Sequence, residues 1–247
     1  MTDMRDEAIR LYDAYTHEHL DRRLVTRRER GTLAGRPAAA YHATPKNRAR
    51  RFGTVVVVHE NRGLNPHIED VARRVALAGF DAVAPDFLAP QGGTPADPDA
   101  ARALIGKADY DAVIRQAIAY LQRAGGGRAG MLGFCWGGGL VNRVAVAAGP
   151  ALKAGVSYYG PAPAVAEAAK VRAALMLVLA GNDRRVNATA LPWANALEAA
   201  GTDVELQVFS GVEHAFNNDT SAERFNKQAA DLAWQRTVAF LRRELDA

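Results

Sequence analysis

The chain contains one cysteine, and it sits where a thiol could act as a nucleophile. The segment MLGFCWGGG at 131–139 runs an apolar stretch into Cys135, and a helix-like pattern follows at once. Gly133, Phe134, Cys135, Trp136 and Gly137 reproduce G-x-S-x-G with cysteine in place of serine. A strand that turns this sharply into a helix strains the residue at the apex. Glycines on either side give the room that bulky neighbours would deny. Cys135 would then stand above the carboxyl edge of a sheet and at a helix N-terminus, where the dipole favours a thiolate. Two plainer readings compete with this one. Free cysteine is often simply buried. A glycine-rich turn can also hold a phosphate, but a dinucleotide fingerprint belongs to the first strand of its unit, with an acid about 20 residues on. Here the turn falls mid-chain, and no acid closes the strand over 152–158.

A nucleophile of this kind needs a base, and the base needs an orienting acid. In the order used on α/β sheets, the acid follows the nucleophile and the histidine comes last. The apolar run over 175–180 ends in Gly181-Asn182-Asp183, and the next strand-like run is followed by Gly211 to Phe216, which contains His214. Asp183 and His214 are therefore the expected acid and base. Taken singly, each could be an ordinary loop residue. His59 ends an earlier strand and precedes the nucleophile, the wrong order for the base. The run over 55–58 leads into HENRG at 59–63, where a second oxyanion-stabilising backbone N–H is expected. The first should be the N–H of Trp136. Glu60 is an unusual residue for that edge, a surface charge being the alternative. No H-E-x-x-H or similar pattern occurs, so no metal is expected, and no cofactor.

These residues require a frame. The 247 residues suffice for one large α/β domain, and 49% hydrophobic with 23% charged residues is ordinary for a globular protein. Strand-like runs at 54–58, 81–84, 128–133, 153–158, 173–180 and 203–209 alternate with helical stretches at 66–78, 100–123 (with a break near Gly106), 136–148, 189–200 and 222–245. That alternation predicts a mostly parallel central sheet with helices on both faces, and with the nucleophile turn and the order of its partners the expected fold is that of an α/β-hydrolase. The first 50 residues read as an N-terminal helical extension packed on the hydrolase domain of 51–247. They comprise a helix over 4–23, a loop over 27–35 and a weak strand over 37–43.

Residues 1–51 hold 12 Lys/Arg against 7 Asp/Glu, so the net charge of +4 comes from this segment. Without an aromatic platform or binding motif it reads as a solvated face, and no nucleic-acid partner is expected. No apolar run approaches the roughly 18 residues of a membrane span, and the start of the chain is polar and acidic, unlike a signal peptide. A membrane partner is not expected, and the location expected is cytoplasmic. A single cysteine suits a reducing compartment.

The chain resembles the dienelactone hydrolase family, also called carboxymethylenebutenolidases, over about residues 50–245. The resemblance lies in HENRG at 59–63, APD at 84–86, GFCWGG at 133–138, YYGP at 158–161, GND at 181–183 and HAF at 214–216. It implies a triad of Cys135, Asp183 and His214, and oxyanion donors at the N–H groups of Asn61 and Trp136. It also implies that Glu60 contacts the resting thiol and takes its proton when substrate binds. Two arginines that grip a substrate carboxylate in the family are missing. The stretch FLAP at 87–90 has none, and Asn218 stands four positions after the histidine. Arg62 or Arg224 could take their place. The expected activity is cleavage of a lactone or carboxylic ester through a thioester. The alternatives are a thiol esterase for a neutral ester, an inactive binding protein on the same fold and, more remotely, a nucleotide-dependent enzyme.

Overall fold

The computed structural model describes residues 23–47, 52–124 and 128–246. In chain order the strands are β1 (Leu24–Leu33), β2 (Arg36–Pro45), β3 (Thr54–Val58), β4 (Asp81–Pro85), β5 (Ala129–Phe134), β6 (Ala154–Tyr158), β7 (Ala174–Ala180) and β8 (Val204–Phe209). The α-helices are α1 (Pro66–Leu77), α2 (Pro98–Ile105), α3 (Tyr110–Arg123), α4 (Trp136–Ala147), α5 (Arg184–Ala199) and α6 (Lys227–Leu245). The strands form a single sheet in the order β1-β2-β4-β3-β5-β6-β7-β8. β2 runs antiparallel to both β1 and β4, and every other neighbouring pair is parallel. This is the expected α/β-hydrolase architecture.

The sheet is buried on both sides, which explains the unbroken valine run of β3. Val55 and Val57 join the core beneath α1 and α6, with Ile68, Val75 and Phe240. Val56 and Val58 point the other way, toward Leu140 and Val144 of α4 and Trp193 of α5. Full burial of a side chain of this size contributes about 1.5–3 kcal/mol.

Three element boundaries differ from the sequence reading. α5 begins at Arg184 rather than at residue 189, because Asp183 caps it by accepting the Val186 N–H at 3.1 Å. Pro192, which argues against an early start, is accommodated inside the helix. α6 begins at Lys227 rather than at 222, because Asn226 supplies the cap, accepting from the Ala229 N–H at 3.0 Å.

The third difference lies near the N-terminus. The helix expected over 4–23 falls outside the described residues. The loop expected over 27–35 is mostly β1, which pairs with β2 through a two-residue turn at Ala34 and Gly35, both with positive φ (52° and 73°). Residues 24–45 are thus strands of the central sheet, not part of a helical extension. β1 is an edge strand with charged, mostly exposed side chains, so it shows no apolar alternation.

Because β3, β5, β7 and β8 are parallel, the loops after them share one edge of the sheet. These loops carry Glu60, Cys135, Asp183 and His214. Gly160, after β6, lets this edge close: a Cβ there would lie 2.2 Å from the Gly138 carbonyl carbon. Gly160→Ala is expected to lower stability by about 3 kcal/mol in chemical denaturation. Gly31→Ala on β1, where a Cβ meets nothing within 4 Å, should change it by less than about 0.5 kcal/mol.

Candidate active site

Cys135 follows β5 directly and begins α4, with φ 55° and ψ −113°. This left-handed, strained backbone is held from three directions. The Cys135 N–H donates to the Tyr158 carbonyl at 2.9 Å, and its carbonyl accepts from the Gly139 N–H at 3.0 Å. A Cβ on Gly133 would lie 2.2 Å from the Gly137 carbonyl oxygen, and one on Gly137 would lie 2.5 Å from that of His59. Glycine at both positions is what lets the turn close.

Asp183 ends the loop after β7 and is buried. One carboxylate oxygen caps α5, and the other bonds His214 Nδ1 in a short contact. The same residue thus starts a helix and orients an imidazole. The His214 ring also packs on Tyr159, with centroids 4.9 Å apart. Cys135 and His214 share no hydrogen bond; the charge of Asp183, which bonds His214, also acts on the thiol.

Glu60 is buried at the end of β3. Its Oε2 accepts from Asn218 Nδ2 at 2.9 Å, and its Oε1 meets the Tyr159 hydroxyl in a long contact at 3.5 Å. Asn218 is itself fixed, because its Oδ1 accepts from the Thr220 N–H and hydroxyl. The adjoining Asp219 bonds His67 at 2.9 Å and Arg74 at 2.5 Å, both on α1. Burial alone would raise the Asp219 carboxyl, but His67 and Arg74 outweigh it and hold it well below the usual carboxylate range. The loop after β8 is therefore clamped to α1. This clamp is complete at neutral pH and is lost only as the pH falls through that lowered value.

The thiol is pushed up to about 11 by burial first and by the Glu60 carboxylate second. A bond from the Trp136 N–H and the guanidinium of Arg185 pull the other way and are outweighed. The pull toward thiolate expected at a helix N-terminus is thus outweighed, and the balance of burial and charge favours the protonated thiol.

Arg62 is engaged by Asp99 at 2.6 Å, and the exposed Arg224 side chain has no partner among the described residues. The cation with the largest pull on the thiol is instead Arg185, in the first turn of α5. Sequence reading gave no role to Tyr159, Asn218 or Arg185. The pair Tyr158-Tyr159, at the end of β6, was the available signal for the first. Among the described residues, no group of three or more His, Cys, Asp and Glu side chains could hold a metal ion, and no helix is long and apolar enough to cross a membrane.

The environment of the thiol predicts its pH response. Alkylation by iodoacetamide should rise about tenfold per pH unit from 7 toward the thiol pKa. Removing the negative charge in Glu60→Gln lowers that pKa, so alkylation at pH 8 should be several-fold faster. An unchanged rate would mean that Glu60 does not act on the sulfur.

Two relatives carry "putative" in their own names. One, a carboxymethylenebutenolidase of Escherichia coli (strain K12), is 31% identical over 223 residues, covering 82% of this chain and 81% of its own. The other, a dienelactone hydrolase of Klebsiella pneumoniae subsp. pneumoniae MGH 78578, has a crystal structure that superposes with a TM-score of 0.77 at 28% identity, covering 88% of this chain and 98% of that one. A dienelactone hydrolase-like promiscuous phosphotriesterase from metagenomic libraries superposes with a TM-score of 0.79 at 20% identity over 90% of this chain and 98% of its own, a likeness of fold. Residues 38–245, from β2 through the end of α6, match the dienelactone hydrolase family, and with a relative at 31% identity across most of the chain, this protein belongs to that family.

Proposed function

We propose that this hydrolase cleaves a lactone or carboxylic ester with Cys135 as nucleophile, His214 as base and Asp183 as the orienting acid. The reading is carried by a strained Cys135 and an Asp183-bound His214 that both follow parallel strands ending at one sheet edge. The Glu60 carboxylate, whose charge acts on the thiol, is the group that switches the nucleophile on.

In the resting state the proton stays on sulfur. When substrate binds, Glu60 accepts that proton and the thiolate attacks the substrate carbonyl. The backbone N–H groups of Asn61 and Trp136 hold the developing oxyanion; each such donor is worth about 3 kcal/mol. Breaking the acyl C–O bond leaves a thioester and an alkoxide or enolate, which stays tethered when the substrate is a lactone. His214 then takes a proton from water, and the hydroxide attacks the thioester. The proton on His214 passes to the alkoxide, and the released thiolate recovers its own from Glu60. Thiolate is a far better leaving group than an amide nitrogen, so attack on amides reverses and amides are poor substrates.

Two departures bear on the substrate. An amide, Asn218, rather than a guanidinium meets Glu60, and Arg62 is occupied by Asp99. The chemistry at the carbonyl does not require a guanidinium at the carboxylate-binding positions.

With p-nitrophenyl acetate as substrate, Cys135→Ala should bring turnover to background and His214→Ala should lower kcat by at least about 10³-fold. Turnover retained in Cys135→Ala removes the mechanism.

A further inference from the structure

His59 is fully buried at the end of β3, yet both of its ring nitrogens are used. Nδ1 lies 2.7 Å from the Glu60 carbonyl oxygen, which can only accept, so Nδ1 carries the hydrogen. Nε2 accepts the Phe87 N–H at 3.3 Å. The ring is therefore neutral and of one tautomer. It lies flat against the Trp136 indole, with centroids 5.2 Å apart and planes within 9°.

These contacts bear on both oxyanion donors. The Glu60 carbonyl and the Asn61 N–H belong to one planar trans peptide, so they point in opposite directions. A donor that holds the carbonyl also aims the N–H. The second donor is the N–H of Trp136, the residue stacked on the same imidazole. The His59 carbonyl also crowds Gly137, one residue further along α4.

We propose that His59 is a positioning residue for the oxyanion hole, aiming the Asn61 N–H through the Glu60–Asn61 peptide and seating Trp136 by stacking. The inference rests on the oxyanion assignment in the mechanism above. It goes beyond that assignment by naming a residue that touches no substrate and still sets how strongly the transition state is held.

Two near-isosteric variants separate this role from simple core filling. Asparagine places its amide nitrogen near Nδ1, where it can donate to the Glu60 carbonyl. Glutamine places its amide near Nε2 and leaves that carbonyl without its donor. His59→Gln is expected to lower kcat for p-nitrophenyl acetate by about 10²-fold with KM within about threefold, the scale of one lost oxyanion donor. His59→Asn, which restores the donor, should recover at least about tenfold of that loss. Alkylation of Cys135 by iodoacetamide needs the thiolate but no oxyanion hole, so its rate should stay within about twofold in both. Should His59→Gln not fold, as judged by thermal melting, His59→Phe keeps the stacked ring without the donor and is expected to show the same loss.

Equal losses in the asparagine and glutamine variants, or losses matched by slower alkylation, overturn the proposal. Cys135→Ala is assayed alongside. An inactive Cys135→Ala with equal asparagine and glutamine effects sinks only the role of His59, whereas an active Cys135→Ala sinks the wider mechanism.

Discussion

Everything at the site depends on a backbone turn that only close glycine packing permits. Cys135 occupies a conformation that costs an L-residue of order 1–3 kcal/mol, and it persists because the surrounding chain leaves it no alternative. Gly133, Gly137 and Gly160 let three neighbouring segments approach to distances no Cβ would survive. The turn in turn fixes the start of α4, and with it the direction of the Trp136 N–H. Tyr159 adopts a positive φ of 38° in the segment that closes over this turn, so the strain is shared between the ends of β5 and β6.

The electrostatics around the sulfur favour restraint over readiness. Burial and the Glu60 carboxylate favour the proton on Cys135, although the Trp136 N–H and the Arg185 guanidinium oppose them. A protonated thiol resists oxidation and stray alkylation, since both require the thiolate. The same carboxylate is gripped by Asn218 and approached by Tyr159. In the mechanism proposed above, restraint and activation run through this one side chain.

Much of this was legible in the sequence, for identifiable reasons. Buried parallel strands need unbroken apolar runs, and β3 and β7 have them. The residues at their carboxyl ends follow an order that parallel topology converts into proximity. Other features are written in no local pattern. Asn218 reaches Glu60 across 158 positions, a contact that exists only once β8 and β3 lie in one sheet. The protonation of the thiol is a balance of burial against charge, and the helix dipole, the one contribution visible from the motif, is outweighed. β1 escaped notice because an edge strand owes its existence to backbone pairing with β2 and not to side-chain alternation. The start of α5 was misjudged because Asp183, read as a catalytic acid, is also a cap.

The sheet's two margins are unequally defended against edge-to-edge strand pairing. β1 presents Arg27, Arg28, Glu29 and Arg30 along its length, several of them tied into ion pairs with Glu69 and Arg123. A foreign strand joining there would have to strip water from that charge. At the opposite margin β8 exposes Leu206 and Val208, at 40% and 48%. Crowding or partial unfolding thus endangers one flank and spares the other, and a lysine on the outer strand at 206 or 208 is the natural place to improve colloidal behaviour without approaching the sulfur.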